Sequence, residues 1–210
     1  MNYSVLKKIF PNENCKCFDN LKYDSEGLWS ISHPNSADEI SKKIKLFEKT
    51  GLIIETVFDS TAGLGGNTLS FAKFFKNVIA VEYDKNRFEM LKNNVNNYIY
   101  QNIDLINDDF LNILKNSDVK IDAIFVDPPW GGPNYKYDSN LKLNISNLEM
   151  KDILKIIYEY NFNNNKIKIA VFKLPYNYNY KDLINECSDF IKIHNIIKEN
   201  NIIYLINTFN

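Results

Sequence analysis

The fold of this 210-residue chain is decided by residues 53–75, which read IIETVFDSTAGLGGNTLSFAKFF. Ile53 to Phe58 is a mostly apolar run of strand length, and Leu69 to Phe75 is an apolar helical run. The turn between them, Asp59 to Thr68, is rich in glycine, which lets a ligand approach the backbone closely. This pattern predicts an α/β fold that binds a ligand at the carboxyl end of a strand.

The turn itself narrows the choice of ligand. A dinucleotide-binding fingerprint requires a third glycine at the position of Thr68, and a phosphate-binding loop requires a Gly-Lys-Ser/Thr sequence that the turn lacks. Asp59 places an acidic side chain at the end of the strand, where it suits a cationic ligand that carries an amine. The methionine part of S-adenosylmethionine is such a ligand.

Acidic residues follow two further strands. Asn77 to Val81 predicts a strand that ends at Glu82, whose carboxylate is placed to accept hydrogen bonds from both hydroxyls of a ribose. Ile103 to Asn107 predicts a third strand, followed by Asp108 and Asp109, one of which is placed to accept from an adenine amino group. A single acid of this kind is more simply explained as a solvated charge, so the prediction rests on their order.

A fourth apolar run, Ala123 to Val126, leads into Asp127-Pro128-Pro129-Trp130-Gly131-Gly132-Pro133. An exocyclic amine of a base is a poor nucleophile because its lone pair is delocalised into the ring, so a catalyst has to accept its hydrogens. Asp127 supplies one acceptor, and the rigid proline pair directs backbone carbonyls that supply a second. Trp130 would stack on the base and hold it at an attack distance of roughly 3–3.5 Å. The alternative is that the run only ends a strand with turn-forming residues.

Taken in order, the glycine turn, the acids and the Asp-Pro-Pro-Trp run predict a class I methyltransferase. Three stretches also carry a resemblance to a known family: Tyr23 to Pro34, Phe58 to Thr68, and Asp127 to Tyr135. They resemble the trimethylguanosine synthase family, the RNA cap guanine-N2 methyltransferases. The Trp-Gly-Gly-Pro extension is the specific part of this resemblance, because Asp-Pro-Pro-aromatic sequences occur in many amine methyltransferases.

The resemblance implies that S-adenosylmethionine methylates N2 of a 7-methylguanosine RNA cap. By position it implies that Trp130 stacks on the methylated guanine, that Ser30 lies near that base, and that Ser32 lies near the cofactor. An indole face binds a cationic ring better than a neutral one, so Trp130 is expected to select for the 7-methyl group.

We therefore expect three groups of site residues. The catalytic group is Asp127, Pro128, Pro129 and Trp130. The cofactor-binding group is Ser32, Asp59, Thr61, Gly63, Gly65, Asn67, Thr68, Glu82, Asp109 and Asp127. The substrate-binding group is Trp29, Ser30, Trp130, Tyr135, Lys173, Pro175 and Tyr176, and no metal is expected.

The chain departs from the family at two of these positions. The family often has Ser at the position of Asp127, although Asp is the commoner acceptor in other amine methyltransferases. The family tends to carry an Arg that grips the cap phosphates where this chain has Tyr176. Candidates to replace that Arg are Lys173, Lys22, Lys7 and Lys8.

The alternation of strands and helices predicts an α/β, Rossmann-like class I methyltransferase fold with a mostly parallel seven-stranded sheet and a C-terminal antiparallel hairpin. Residues 1–34 are expected to form an N-terminal extension that contributes to the cap and cofactor site. Residues 35–210 are expected to form the class I methyltransferase domain.

Local patterns predict where several elements begin and end. Helices are expected from Asn35 to Thr50, with a capping box at Ser36 to Glu39, and from Asn147 to Tyr160. Asn161 to Asn165 is expected to be a connector. The hairpin is expected to pair Phe190–Ile197 with Ile202–Thr208 across residues 199–201.

Composition bears on the substrate and the partners. A net charge of −1 and a pI near 6.2 argue against a broad groove that tracks phosphates, and favour 7-methylguanosine-capped RNA or a free cap nucleotide as substrate. The three cysteines and two histidines lack metal-ligand or disulfide spacing, which indicates a reducing compartment. We expect a soluble, intracellular monomer without a membrane partner, in either nucleus or cytoplasm.

Two alternatives stay open. One is an amine methyltransferase that acts on guanine or adenine in longer RNA or DNA, for which a basic groove would be expected. The other is a catalytically silent cap-binding module, which would have no use for an intact cofactor turn.

Overall fold

The computed structural model describes residues 3–116, 119–139, 141–164, 167–189, 193–199 and 202–208. Within them, seven strands form one sheet. Numbered along the chain, the strands follow one another across the sheet in the order β3 (Ile103–Ile106), β2 (Asn77–Val81), β1 (Thr56–Asp59), β4 (Ala123–Val126), β7 (Ile169–Pro175), β9 (Ile202–Thr208) and β8 (Ile193–Glu199). The chain divides into two compact units, Met1–Phe110 and Leu111–Asn210. Each unit is described in turn.

The first unit contains three parallel strands and most of the predicted cofactor-binding residues. β1 pairs with β2, and β2 with β3, in parallel register. The bounds are α1 Tyr3–Ile9, α2 Ser25–Ser30, α3 Pro34–Leu46, β1 Thr56–Asp59, α4 Gly66–Phe74, β2 Asn77–Val81, α5 Lys85–Asn96 and β3 Ile103–Ile106.

Burial explains why these segments form strands and helices where they do. All four residues of β1 are buried, as are the last four of β2, which is the continuous apolar pattern of parallel strands covered on both faces. The N-terminal helix α1 joins this core, because Leu6, Ile9 and Phe10 pack in the same cluster as Leu64 and Leu91. The start of α5 is capped by Asp84, whose side chain accepts a hydrogen bond from the Arg87 N–H.

The second unit completes the sheet with both parallel and antiparallel strands. β4 pairs with β7 in parallel, and β9 lies antiparallel between β7 and β8. The bounds, with α6 starting at the end of the first unit, are α6 Phe110–Asn116, β4 Ala123–Val126, β5 Asn144–Ile145, β6 Leu148–Glu149, α7 Met150–Asn164, β7 Ile169–Pro175, α8 Tyr180–Cys187, β8 Ile193–Glu199 and β9 Ile202–Thr208.

The predicted fold is confirmed, since the sheet is mostly parallel and ends in an antiparallel pair. The predicted capping box is wrong. The helix begins at Pro34, one residue before the predicted start, and its N-cap is His33 without a side-chain cap, so Ser36 lies inside the first turn. Proline at the first helical position already fixes φ there and lacks an N–H that would need capping.

Two other boundaries are corrected. The helix predicted from Asn147 begins at Met150, because Leu148–Glu149 pairs with Asn144–Ile145 in a small hairpin. Ser146 and Asn147 adopt positive φ values of 51° and 65° at its turn. The helix then continues to Asn164, through most of the predicted connector. The end of that connector at residue 165, the start of the C-terminal hairpin at residues 190–192, and its turn at residues 200–201 lie outside the described residues.

Among the described residues, none of the helices combines the length and apolar character needed to cross a membrane.

Candidate active site

The cofactor-binding residues of the first unit gather around the carboxyl ends of β1 and β2. Asp59 is the last residue of β1 and is fully buried. Its Oδ2 accepts a hydrogen bond of 2.6 Å from the Thr68 hydroxyl, which lies in the first turn of α4. This hydrogen bond joins the end of β1 to the start of α4 across the glycine turn. It also keeps the buried Asp59 carboxylate beside that turn.

Glu82 follows β2 and braces the same turn from the other side. Its Oε2 accepts from the Gly63 N–H at 2.9 Å, and its Oε1 accepts from the Asp84 N–H, also at 2.9 Å. Burial raises the pKa of Glu82 above its ordinary value, although the two backbone N–H groups and the nearby Arg87 charge oppose that shift. A carboxylate at this place orders the turn before any ligand binds.

The segment that precedes α3 lies directly on the glycine turn. The Asn67 side-chain amide donates to the Ser32 hydroxyl at 2.9 Å, and both residues are buried. At Gly66 a β-carbon would lie 2.8 Å from the Ser32 carbonyl oxygen, so only glycine allows the two backbones to approach this closely. Ser32 is therefore placed at the predicted cofactor turn by packing as well as by a hydrogen bond.

Asn94, a buried residue that was not predicted, holds this segment at Lys22, ten residues before Ser32. Asn94 of α5 is fully buried, and its side chain bonds to the N–H of Lys22 at 2.7 Å and to its carbonyl at 2.9 Å. The same amide donates to the Leu64 carbonyl in the glycine turn at 3.1 Å. One side chain thus joins α5, the N-terminal segment and the turn.

Arg87 adds a second link between α5 and the N-terminal segment. It is the single arginine of the chain, and its guanidinium bonds to Glu26 at 2.8 Å and to Asp24 at 3.3 Å. Asp24 also caps α2, accepting from the Gly27 N–H at 2.5 Å. The single arginine stands out in the sequence, but its partners can be identified only once the fold is known.

The other predicted residues of the first unit occupy more open positions. Trp29 and Ser30 end α2 and are exposed, Trp29 by 69% of its surface. Thr61 and Asp109 are half-buried, and Gly65 caps the start of α4 with a φ of 98°. Ser32, Asp59, Asn67, Thr68 and Glu82 come together around the turn through the hydrogen bonds described above, and these bonds do not involve Trp29, Ser30 or Asp109.

In the second unit, the Asp-Pro-Pro-Trp run follows β4 as predicted. Asp127 does not stand alone there, because its Oδ2 accepts a 2.6 Å charged hydrogen bond from the Lys173 ammonium on β7. The Lys173 side chain is 7% exposed and that of Asp127 14%. Burial raises the pKa of Asp127, while the Lys173 charge and hydrogen bond oppose the rise. This pairing was not predicted.

Trp130 is half-buried and packs within the same cluster. The Lys173 ammonium lies 5.3 Å from the centre of its ring, and Tyr135 meets the ring edge-on with the centroids 5.1 Å apart. The nearby indole N–H of Trp130 favours the charged form of Asp127. It does not form a hydrogen bond, however, because Nε1 is buried without a hydrogen-bond partner in the described part of the chain. Gly131 and Gly132, with φ of 86° and 78°, then turn the chain sharply away.

The loops after β4 and β7 are joined by Asn177, another residue that was not predicted. Its side-chain amide donates to the carbonyls of Tyr135 and Asp138, both at 2.8 Å. Pro175 is buried at the end of β7, whereas Tyr176 is 49% exposed. Burial, and secondarily Tyr176, raises the pKa of the Tyr135 phenol. Of the predicted substrate-binding residues here, Trp130, Tyr135 and Lys173 therefore come together.

Comparison with known proteins shows which family the chain resembles. Residues 54–208 match the model of a protein family described as RNA cap guanine-N2 methyltransferase. The chain is 33% identical to the uncharacterized protein L320 of Acanthamoeba polyphaga mimivirus, over 77% of this chain and 71% of that protein. It is also 33% identical to the trimethylguanosine synthase of Schizosaccharomyces pombe, over 71% of this chain and 64% of that protein.

A solved structure supports the fold independently. The precorrin-6y C5,15-methyltransferase of Geobacter metallireducens superimposes with a TM-score of 0.61, over 95% of this chain and 98% of that one, at 11% identity. A likeness at this identity concerns the methyltransferase fold alone. Because the family match covers most of the chain, including both the glycine turn and the Asp-Pro-Pro-Trp run, the chain belongs to the RNA cap guanine-N2 methyltransferase family.

Proposed function

We propose that this methyltransferase transfers a methyl group from S-adenosylmethionine to the exocyclic N2 of 7-methylguanosine in an RNA 5′ cap. The product would be 2,7-dimethylguanosine and, after a second transfer, 2,2,7-trimethylguanosine. The observation that carries the proposal is the cluster of Asp127, Trp130 and Tyr135, which sets a buried acceptor beside a stacking platform. The family match and the relative named trimethylguanosine synthase support it.

The residues around the glycine turn fit the cofactor. Apart from Gly63 and its two chain neighbours, no described atom lies within 4 Å of the point where a β-carbon of Gly63 would stand, so the turn has open space beside a backbone that a ligand can approach. Asp59 would hold the amino group, Glu82 the ribose hydroxyls and Asp109 the adenine amino group. Ser32, Thr61, Gly65, Asn67 and Thr68 would line the turn. When bound, S-adenosylmethionine supplies a methyl group on a positively charged sulfur that is already a good leaving group.

The task left to the chain is alignment. Asp127, with a backbone carbonyl of the Pro128-Pro129 pair, would accept the two N2 hydrogens and so direct the nitrogen lone pair toward the methyl group. Pro128 is buried and Pro129 is exposed, so the loop leaves the core between these two residues. The transfer would be direct, with no covalent enzyme intermediate. N2 becomes much more acidic once methylated, so no separate strong base is required.

Recognition of the 7-methyl group would come from charge. 7-Methylguanine is cationic, and the Trp130 face attracts a cationic ring more strongly than a neutral one. Tyr135 supports the indole from its edge, and Asn177 holds the Tyr135 loop in place. Trp29 and Ser30, exposed at the end of α2, and Tyr176 and Pro175 would complete the substrate contacts.

The N-terminal residues 1–34 would contribute to this site as an extension of the methyltransferase domain, residues 35–210. Ser32 already contacts the glycine turn through Asn67, which supports the cofactor part of that role. Lys22, Lys7 and Lys8 have exposed side chains suited to cap phosphates. Lys173 is the other candidate, but its ammonium is engaged with Asp127.

Capped RNA is an intracellular substrate, so the proposal implies an intracellular enzyme. We propose that this enzyme acts as a monomer.

The test is methyl transfer from labelled S-adenosylmethionine to a panel of substrates. The panel contains 7-methyl-GTP, GTP, uncapped RNA and single-stranded DNA, and the products are weighed by mass spectrometry. Transfer to 7-methyl-GTP but not to GTP is expected, and the mass gives one added methyl or two. Transfer only to uncapped RNA or DNA would show a methyltransferase of longer nucleic acids. Cofactor-independent cap binding without transfer would show a silent module.

A further inference from the structure

We propose that Lys173 is a positioning residue for the reaction, which keeps the Asp127 side chain ionised and aimed as a hydrogen-bond acceptor for the substrate amine. The inference rests on the proposed function and deepens it. It gives Lys173 a role at the acceptor rather than at the cap phosphates.

Two lysine–aspartate pairs bridge the same two parallel strands, and their comparison is informative. Asp122 and Lys168 precede β4 and β7, and their side chains are 2.7 Å apart. Asp127 and Lys173 lie five residues further along each strand, at 2.6 Å. Lys168 remains 33% exposed, whereas Lys173 is only 7% exposed. The second pair therefore takes a lysine charge out of water at the carboxyl end of the sheet.

Such burial is poorly explained by stability alone. Removing two charges from water costs about as much as their attraction returns, so a buried ion pair is weak evidence of a stabilising role. A chemical role is a better explanation at this position. A protonated carboxyl carries a hydrogen on one of its oxygens. That oxygen would then present a donor to the amine, which is itself a donor. The ionised form accepts at both oxygens and forms the stronger, charge-assisted hydrogen bonds, so it is the better acceptor for the amine.

Among the described groups that act on Asp127, Lys173 is the one that supplies a positive charge. Trp130, from the loop of Asp127 itself, does not titrate. Tyr204 faces it from β9, opposite Lys173 in the register, and its pKa is raised by burial and then by Asp127 and Glu199, so it is neutral. Lys173 is the cation on β7, in direct contact with the carboxylate.

Lys173 also ties the acceptor to the stacking platform. Its ammonium contacts the Asp127 carboxylate at 2.6 Å and lies 5.3 Å from the centre of the Trp130 ring. One cation thereby fixes the position of a carboxylate and an aromatic ring relative to each other. Both would have to be aligned on the same base for methyl transfer, and small displacements of aligned groups reduce rates strongly.

The test is the pH dependence of kcat/KM with 7-methyl-GTP, measured for the wild type, Lys173→Met, Asp127→Asn and the double variant. Lys168→Met is the matched control, because it removes the equivalent pair at the other end of the same strands. Ionisation of the substrate is common to all variants, so differences between profiles report the enzyme. S-adenosylmethionine affinity and thermal melting are measured alongside to identify variants that fail to fold.

We expect Lys173→Met to move the acidic limb of the profile upward by about 1–3 pH units, the usual effect of losing an adjacent opposite charge. Activity would therefore fall on the acidic side of the profile and recover as the pH rises. The double variant should lose the shifted limb, because an amide in place of the Asp127 carboxyl does not titrate. Lys168→Met should keep the wild-type profile.

Several results would overturn the inference. A Lys173→Met profile that superimposes on the wild type, an equal loss at every pH, or a shifted limb that persists in the double variant would assign Lys173 another role. The same shift in Lys168→Met would show that the effect is not specific to the acceptor. A wild-type protein that methylates no cap substrate would contradict the proposed function itself, and that result appears before any variant is compared.

Discussion

Trp130 is the residue on which cap recognition depends in this account. Its ring is held from the edge by Tyr135 and approached by the Lys173 ammonium, so it is positioned before substrate binds. Replacing it with alanine should leave S-adenosylmethionine binding largely intact, since all the predicted cofactor residues except Asp127 belong to other segments. Stacking of a base on an aromatic ring contributes about 1–3 kcal/mol, and loss of alignment adds to that.

We therefore expect Trp130→Ala to lower kcat/KM for 7-methyl-GTP at least about a hundredfold, with Trp130→Phe intermediate. Kinetics with 7-methyl-GTP and calorimetry with S-adenosylmethionine measure the two effects separately. Near-normal turnover by the alanine variant would remove the stacking role.

Glu82 provides a test by pH. Burial raises its pKa, so the folded protein binds this proton more tightly than the unfolded chain does. Its contribution to stability is therefore full below the unfolded pKa and is lost as pH rises through the folded pKa. Gln does not titrate. The melting temperature of Glu82→Gln relative to wild type should accordingly rise between about pH 4.5 and pH 7. A difference that stays constant or falls over this range would contradict the burial argument.

Single residues differed in how far the sequence could predict them. Asp59, Glu82 and Asp127 follow apolar runs, so their places at strand ends could be read directly. Partners such as Thr68 for Asp59 lie within the same short turn and were also within reach. The Asp127–Lys173 pair was not, because 46 residues separate its members and they meet only when β4 and β7 are known to be neighbours.

The segment from Lys22 to Ser32 behaves as an element held by its neighbours. It carries α2, a six-residue helix that is too short to be stable without packing. Asn94, Arg87 and the close approach at Gly66 fix it against α5 and the glycine turn. We infer that the cofactor turn and this segment lose order together.

Replacing Asn94 with alanine should therefore reduce both stability and cofactor affinity. It would leave the Lys22 N–H and the buried Leu64 carbonyl without this partner, which costs about 2–4 kcal/mol in total. Asn96→Ala on the same helix is the control, because its side chain is exposed, and it should change stability by less than about 0.5 kcal/mol. Denaturant unfolding and calorimetry measure the two quantities. Equal effects of the two substitutions would mean that Asn94 does not hold the segment.

Elements with a strong pattern were predicted closely, and short ones were not. The strand Asn77–Val81 has the predicted bounds, and the apolar run Ala123–Val126 forms a strand over its whole length. The helices α1 and α2 were missed, because seven and six residues are too few to show a helical period and their order comes from tertiary contacts. The start of α7 was predicted too early, because Leu148 and Glu149 form a short strand that pairs with Asn144 and Ile145 in the folded chain.

The charge of the whole chain sets an expectation for substrate length. With a net charge of −1, the chain has no excess of basic groups to follow a long backbone. Capped RNA of about 20 nucleotides should therefore show nearly the same dependence of kcat/KM on salt as 7-methyl-GTP, between about 50 and 200 mM. The same RNA without a cap is the control and should not be methylated. A much steeper salt dependence for the RNA would indicate that the enzyme tracks phosphates beyond the cap.

The most direct measurement identifies the methylated base itself. Capped RNA is incubated with the protein and labelled S-adenosylmethionine, digested to nucleosides, and the labelled nucleoside is compared with standards. The account predicts label in N2,7-dimethylguanosine or N2,N2,7-trimethylguanosine from the cap. Label in an internal N2-methylguanosine or in N6-methyladenosine, with an unlabelled cap, would contradict it.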